Sequence, residues 1–320
     1  MSRLWITWEV QRRNKSISKA LNAKLIELDI KGGAAGRYLK AIFISLRALR
    51  TEQPRQLFVQ NPSIVLATLA VFIGIFSKIK IVVDAHNSGI RPLEGRSKFI
   101  NSWSDFLLRR ADLTIVTNNA LFKYVESKGG QAVILPDALP ELIKTGQPID
   151  IKTGRNVLFI CSWAEDEPYL NVLEAAALLD TSINIYITGN WQKCKDVVRK
   201  DIPSNVVLTG FVSESYFDGL LSAVDVVMDL TTRDDCLLCG AYEGVAAGRV
   251  MVLTDTPVLR EYFNSGVVYT DNTSQGIAQS IKVSFDDFDR LSEDVVQLRQ
   301  DISKRWGVFR EELERRLELM

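Results

Sequence analysis

The chain has 320 residues, 47% hydrophobic and 24% charged, with 39 Lys and Arg set against 39 Asp and Glu. That length exceeds one comfortable core and predicts two domains. The balanced charge excludes the global basic field of a nucleic-acid binder. The start, MSRLWITWEVQRR, lacks the charged and apolar regions of a secretory signal. The most apolar run, IVLATLAVFIGIF (64–76), is too short to span a bilayer and suits a buried or membrane-touching helix. A cytoplasmic protein with reduced thiols is therefore expected. Cys236 and Cys239 have CxxC spacing, but no second pair follows and the only histidine, His86, is far away in sequence. Small core residues are favoured over a zinc or redox site, and no metal or cofactor is expected.

Strand-like runs alternate with helical stretches along the chain. Residues 4–9 (LWITWE) read as a strand, 16–23 as a helix and 24–30 as a strand. Residues 56–60 read as a strand, 63–78 as a buried helix and 79–85 (IKIVVDA) as a strand. A helix over about 97–110, a strand at 112–118, the helix NALFKYVESKG and the short strand AVILPD follow. The turn-rich stretch 138–155 is the best linker. The pattern then restarts, with strands at 156–162, 183–189, 205–210, DVVMDLT and 250–256. Helices over 168–179, SYFDGLLSAV and 239–248 lie between them, the last ending at a glycine. A charged helix closes the chain from about Leu291.

This alternation predicts parallel sheets covered on both faces. The expected organisation is two doubly wound, Rossmann-like α/β domains facing across a cleft, over 1–148 and 149–300. A C-terminal helix (301–320) could cross back to the first. Ligands in such sheets bind beyond the carboxyl ends of the strands. Those ends carry polar groups almost throughout: Arg12-Arg13-Asn14, Asp84-Ala85-His86-Asn87, Thr117-Asn118, Ser162-Trp163, Gly189-Asn190-Trp191, Gly210-Phe211 and Arg233-Asp234-Asp235. Asp and Asn also cap helices, so only the set points to a site. GxGxxG, GxxxxGK[ST] and GxSxG are all absent, which leaves a nicotinamide fingerprint, a P-loop and a nucleophile elbow unsupported.

The segment DCLLCGAYEGVAAGRVMVLTDTP resembles the donor-binding segment of GT-B glycosyltransferases of the family-4 type, with Asp235 and Glu243 as the acid pair. RRADLTIVTNNALFKYV followed by AVILPDALP resembles the end of that family's N-terminal domain. VQNPSIVLATLAVF…IKIVVDAHNSG and FICSWAEDEPYLNVLEAA are similar to segments of the chitobiosyldiphosphodolichol β-mannosyltransferases. The resemblance implies a metal-independent hexosyltransferase with a GT-B fold. GDP-mannose is the leading donor and a UDP-sugar the next. The implied acceptor is a lipid-diphosphate-linked or other surface glycan, as in polysaccharide biosynthesis. The family's Arg and Lys after the first strand of the second domain are missing: SWAEDEPY offers no cation. That departure supports a second reading, a catalytically silent subunit beside a partner glycosyltransferase.

Transfer from a nucleotide sugar needs a positioned acceptor, a base if the reaction inverts, and charge stabilisation for the departing diphosphate. Asp84 and His86, two apart in an extended strand end, share a side. His86 could take the acceptor proton or bind donor sugar or phosphate, with Asp84 orienting it; a capping core histidine is the bland alternative. Asp235 would complete the catalytic set near the donor sugar hydroxyls, or cap the next helix. Glu243 resembles the family glutamate on the ribose diol and sits in an otherwise small, apolar helix. Cys239 and Gly240 could turn backbone N–H groups to the diphosphate. Ser162, Trp163, Gly189, Asn190 and Phe211 are further donor-side candidates, the tryptophans Trp163 and Trp191 either stacking on a ligand or packing. Asp166 and Glu167 could cap a helix starting at Pro168. Adjacent arginines diverge on a helix, so one of Arg12 and Arg13 is expected at a diphosphate and the other at the surface. Arg12 is assigned to the donor and Arg13, with Asn87 and Asn118, to the acceptor. The stretch 96–112 suits either a membrane-surface face or a core-facing helix with a basic rim.

Overall fold

The computed structural model describes residues 2–61, 63–142, 149–194, 197 and 201–320. Contacts divide the chain into two units, Met1–Ala138 with Arg305–Met320, and Leu139–Lys304. Residues 143–148 of the linker stretch 138–155 lie outside the described residues.

The first unit runs β1 (Arg3–Thr7), α1 (Arg12–Ala20), β2 (Lys24–Glu27), α2 (Ala34–Glu52), β3 (Gln56–Asn61), α3 (Ile64–Phe76), β4 (Lys80–Ala85), α4 (Asn87–Ile90), α5 (Lys98–Arg110), β5 (Leu113–Val116), α6 (Asn119–Ser127) and β6 (Ala132–Ile134). Its six strands are all parallel in the order β2-β1-β3-β4-β5-β6. Because β1 leads to β2 on one side and the later strands grow on the other, the topological switch lies between β1 and β3. Every residue of β3 is buried, as a central strand covered on both faces requires. One side packs Leu57, Val59, Ala67, Ala70 and Leu107 into a core, and the other packs Trp5, Phe58, Ile17 and Leu21. Trp5 and Phe58 stack at 5.3 Å. Leu313 and Leu317, near the end of the long helix Phe288–Glu318, join that second core. The helix is pinned there by Arg3, which forms a two-pronged ion pair with Glu314, and by Trp306, which donates to the Pro136 carbonyl.

The second unit runs β7 (Arg155–Phe159), α7 (Tyr169–Ala177), β8 (Ile183–Thr188), β9 (Val206–Gly210), α8 (Glu214–Ala223), β10 (Val226–Asp229), α9 (Cys239–Ala247), β11 (Val250–Thr254), α10 (Pro257–Tyr262), β12 (Val267–Thr270), α11 (Ser274–Asp286) and the first part of α12 (Phe288–Glu318), whose residues from Arg305 belong to the first unit. Its parallel order, β12-β11-β10-β7-β8-β9, puts the switch between β7 and β10. Helix α9 ends at Gly248, whose φ of 67° is the left-handed stop expected of a glycine. Two doubly wound parallel sheets with flanking helices are therefore the observed fold. The helix α2 is not visible in the sequence pattern, because it buries only Ala41, Ser45 and Leu49 and leaves larger apolar residues outside.

Candidate functional site

Each unit gathers polar side chains at its own switch point, where an open α/β sheet splays its strand ends and leaves room for a ligand. In the first unit the centre is Arg13, one residue into α1 and only 6% exposed. Its Nη2 donates to Asp84 Oδ1 at 2.7 Å and its Nε to Asp84 Oδ2 at 2.9 Å. The Nη1 pairs with Asp137, and Nη2 also reaches the Leu135 carbonyl at 2.9 Å. Burial by itself would raise the Asp84 carboxyl, but the Arg13 guanidinium, with His86 also contributing, holds it well below the usual carboxylate range. Arg13 in turn stays charged despite burial, because Asp84 and Asp137 face it.

His86 follows β4 and is half-exposed. Its Nε2 lies 3.6 Å from Asp84 Oδ2 and 3.4 Å from Gln60 Nε2. The Gln60 amide is fixed from behind: its Oε1 accepts from Thr7 at 2.8 Å and Asn14 at 2.9 Å, and its Nε2 donates to Gln11 at 2.6 Å. Asn14 accepts from the Trp5 indole at 3.1 Å, which ties the network to the core. Both of these contacts run through Nε2, and the His86 side chain makes no cap hydrogen bond to α4. Next to this network, a cavity of about 490 Å³ opens between the ends of β1 and β2 and the start of α2, lined by Trp8, Glu9, Arg37 and Tyr38 among others.

In the second unit the loop from β7 to α7 bends back on itself. Trp163 adopts φ 66°, a left-handed conformation that is rare for an indole side chain. The bend turns the Ser162 and Ala164 N–H groups inward, and both donate to Glu167 at 2.9 Å. The Ser162 hydroxyl adds a third bond at 2.9 Å. Successive N–H groups in such a turn form an anion-binding concavity, and here the anion is the chain's own carboxylate. Asp166 accepts from Thr231 Oγ1 at 2.9 Å and pairs with Arg233 at 3.3 Å. At the end of β10, buried Asp229 accepts from the Gly240 N–H at 2.8 Å. Burial pushes the Asp229 carboxyl up, and the charges of Glu167, Glu243 and Asp166 push it further, against the Gly240 bond. This end of the unit thus gathers the carboxyls of Asp166, Glu167, Asp229 and Glu243, with Arg233 at their edge.

The structure places several of the expected site residues against partners in their own unit. Arg13 does not stand free for an acceptor; its guanidinium is enclosed by Asp84, Asp137 and Leu135, while Arg12 is the exposed member of the pair. Asn118 is 7% exposed and caps α6 by accepting from Leu121 N at 3.0 Å, so its carbonyl is engaged in the helix start. The Gly240 N–H faces Asp229 rather than open space, and a Cβ there would meet Asp229 Oδ2 at 2.5 Å. Ser162 is occupied by Glu167. Trp163 donates to the Thr188 carbonyl at 2.8 Å and tilts against Tyr169 at 5.2 Å, which is packing. Gly189, with φ 87°, lets Trp163 and the Cys161 carbonyl approach to within 2.2–3.0 Å of where a Cβ would stand. Neither Asp166 nor Glu167 caps α7, because the helix begins from Pro168 without a side-chain cap and both carboxylates are engaged elsewhere. Asp235 is not the cap of α9 either; Leu238 holds that position.

The remaining candidates sit at strand ends as expected. Half-buried Asn190 opens a short turn after β8, Phe211 is 88% exposed after β9, and Asn87 begins α4. Cys239 is exposed at the start of α9, and Glu243, one turn further along, is half-buried beside the Asp229 carboxyl. Asp84 and His86 are brought together. Asp137, Gln60, Asp229 and Glu167 were not singled out as site residues from sequence. The partners of Asp137 and Gln60 lie up to 124 and 53 residues away, while Glu167 meets Ser162 and Ala164 through a local turn. Among the described residues no group of three or more His, Cys, Asp or Glu is placed to hold a metal ion. In 96–112, Leu107 and Leu108 are buried, and Trp103 and Phe106 pack on the core; Phe99 is the exposed aromatic.

No protein-family model matches the chain, and no curated protein matches it. Solved structures do. HepE from Anabaena, in complex with UDP and glucose, superposes with a TM-score of 0.74 at 13% identity, covering 99% of this chain and 92% of that one. Sucrose-phosphate synthase from Thermosynechococcus elongatus gives 0.76 at 11% identity, covering 99% of both chains. The spinosyn rhamnosyltransferase SpnG with thymidine diphosphate gives 0.57 at 12% identity, covering 95% and 96%. The chain thus shares the GT-B fold of these proteins. At such low identity the shared property is the fold.

Proposed function

We propose that this chain is a metal-independent GT-B hexosyltransferase that moves a sugar from a nucleotide-sugar donor to a lipid-diphosphate-linked or other surface glycan. GDP-mannose is the favoured donor, on the segments similar to the β-mannosyltransferases. A UDP-sugar is next, since HepE binds UDP and glucose on the same fold. The observation that carries the reading is the His86–Asp84–Arg13 arrangement: a half-exposed imidazole backed by a buried carboxylate, which a buried arginine keeps ionised. A carboxylate at that distance orients the imidazole, and a ring so held at the strand end is placed to act as general base for an acceptor hydroxyl. Glu243 is assigned to the ribose diol of the donor, and Asp235 to the donor sugar hydroxyls. Asn190 and Phe211 are assigned to the donor at the strand ends, and Arg12 to its diphosphate.

A specific observation favours the second reading, a silent GT-B subunit. The backbone N–H groups of Ser162, Ala164 and Gly240, which could have faced a diphosphate, are held by Glu167 and Asp229. Transfer of radiolabelled sugar to lipid extracts separates the two. The transferase reading expects incorporation that falls about 10²- to 10⁴-fold in His86→Ala, the usual contribution of a positioned base. In Glu243→Ala, KM for the donor should rise roughly 10- to 100-fold, as for loss of a hydrogen bond to a charged group. Donor binding without transfer by the wild type would establish the silent subunit.

A further inference from the structure

We propose that the outer face of helices α2 and α3 docks on an anionic bilayer surface. This deepens the lipid-linked acceptor reading and rests on it for its purpose, but its evidence lies in the first unit alone.

Helices α2, α3 and α5 share one core cluster on one side of the first sheet, and Trp103 of α5 stacks with Phe72 of α3 at 6.3 Å. An ordinary surface helix buries its large apolar side chains and exposes small or polar ones. Helix α2 is inverted. It buries Ala41, Ser45 and Leu49, and exposes Leu39, Phe43 and Leu46 at 69, 67 and 44%. Their i, i+4, i+7 spacing makes one stripe along the solvent side. Helix α3 ends in the same way, with Phe72, Ile75 and Phe76 exposed, Phe76 at 84%. The start of α5 adds Phe99 at 81%. Scattered apolar residues need no explanation on a surface, but a stripe along one helix, with a second group at the end of another helix on the same core, does.

The charge around this stripe chooses the occupant. Residues 34–79 carry six cations, Arg37, Lys40, Arg47, Arg50, Arg55 and Lys78, and one acid, Glu52, in a chain with zero net charge. Glu52 is itself paired with Lys24 at 2.7 Å. Lys40, Arg47 and Arg50 flank the Leu39–Phe43–Leu46 stripe on the helix. A second copy of the chain docking face to face would set these cations against their own images, which is unfavourable. Anionic headgroups would pair with them while the aromatic and aliphatic tips enter the acyl boundary, as an interfacial amphipathic helix does. No described helix is long and apolar enough to cross a membrane, so contact through this face is parallel to the surface.

The test is co-sedimentation of the full chain with vesicles of phosphatidylcholine plus phosphatidylglycerol, against phosphatidylcholine alone, without nucleotide. The expected result is binding that requires phosphatidylglycerol and weakens with salt. Lys40→Gln/Arg47→Gln should bind about 30-fold more weakly, at the usual contribution of each surface cation. Phe43→Ser/Phe76→Ser should lose binding while its melting curve stays that of the wild type, because both rings are exposed. The proposal is overturned by no binding to the anionic vesicles or by equal binding to phosphatidylcholine alone. It is also overturned by sedimentation velocity showing a dimer that Phe43→Ser dissolves. Because no nucleotide is present, failure here leaves donor binding untouched and is distinguishable from failure of the transferase reading.

Discussion

Replacing Arg13 with methionine should reverse the sign with which Asp84 couples folding to pH. In the wild type the Asp84 carboxyl is held below its ordinary value. A depressed carboxyl contributes stability that is present above the unfolded pKa of about 4 and is lost as pH falls through the lower folded value. Arg13 and Asp84 are 4 and 1% exposed in their side chains, so the pair is screened little by solvent. Removing the cation leaves Asp84 buried with the His86 ring at 3.6 Å, and leaves Asp137 without the guanidinium it pairs with. Breaking a buried pair from one side costs about 3–5 kcal/mol, and the methionine fills the apolar stem's space. Burial then raises the Asp84 carboxyl instead of being overcome, so the variant should become relatively more stable as pH falls from 8 to 5. Urea unfolding of both proteins across that range, followed by tryptophan fluorescence, measures this. The double variant Arg13→Met/Asp84→Leu should recover much of the loss, because replacing both charges avoids the unpaired one. An Arg13→Met cost below about 1 kcal/mol, or a pH slope parallel to the wild type's, would refute the assignment of Arg13 as the residue that keeps Asp84 ionised.

Three further outcomes follow from the second unit. Asp229 has a raised carboxyl, so its ionised form destabilises the fold; that penalty is absent at low pH and grows as pH rises through the folded value. Asp229→Asn keeps an acceptor for the Gly240 N–H and should raise the melting temperature at neutral pH, with the gain shrinking toward pH 4. Glu167→Ala removes the three loop bonds to Ser162 and Ala164 and should cost roughly 2–3 kcal/mol, partly offset by relief of Asp229; faster proteolysis at 161–167 would report the loosened loop. Gly189→Ala places a Cβ 2.2 Å from the Cys161 carbonyl at φ 87° and should cost about 2 kcal/mol or more, read by chemical denaturation. A thiol-labelling time course supplies a fourth check. Exposed Cys239 should react first, and Cys161 last, because burial and the nearby Glu167 charge push its thiol up.

The sheets were legible because central parallel strands such as QLFVQ and VMVLT are apolar runs bounded by helical spacing, which is what two-sided burial demands. Helix α2 was not, because its outward stripe of Leu39, Phe43 and Leu46 conflicts with the inward rule that makes helices readable. At the site, Asp84 and His86 could be paired from their spacing alone, since strand residues two apart share a side. Arg13 could not be placed correctly. Its partners Asp84 and Asp137 are 71 and 124 residues away, and a buried arginine looks like any other basic residue in sequence. Glu167 offers itself in sequence as one of two possible helix caps because it sits just before Pro168. What redirects it is the left-handed turn at Trp163, a conformation no sequence rule assigns to a tryptophan. Asp229 lies inside the strand run DVVMDLT, and its partner Gly240, 11 residues on, is set against it by the fold.

The central claim is that this chain binds a nucleotide sugar through the unit that carries Glu243. Differential scanning fluorimetry with GDP, UDP, GDP-mannose and UDP-glucose tests it most directly, with Glu243→Ala as the control. A ligand at a hundred times its Kd stabilises the native state by about 2.7 kcal/mol. The account predicts a concentration-dependent upward shift with at least one of the four, largest for GDP-mannose and reduced in Glu243→Ala. No shift with any of them at saturating concentration would contradict it.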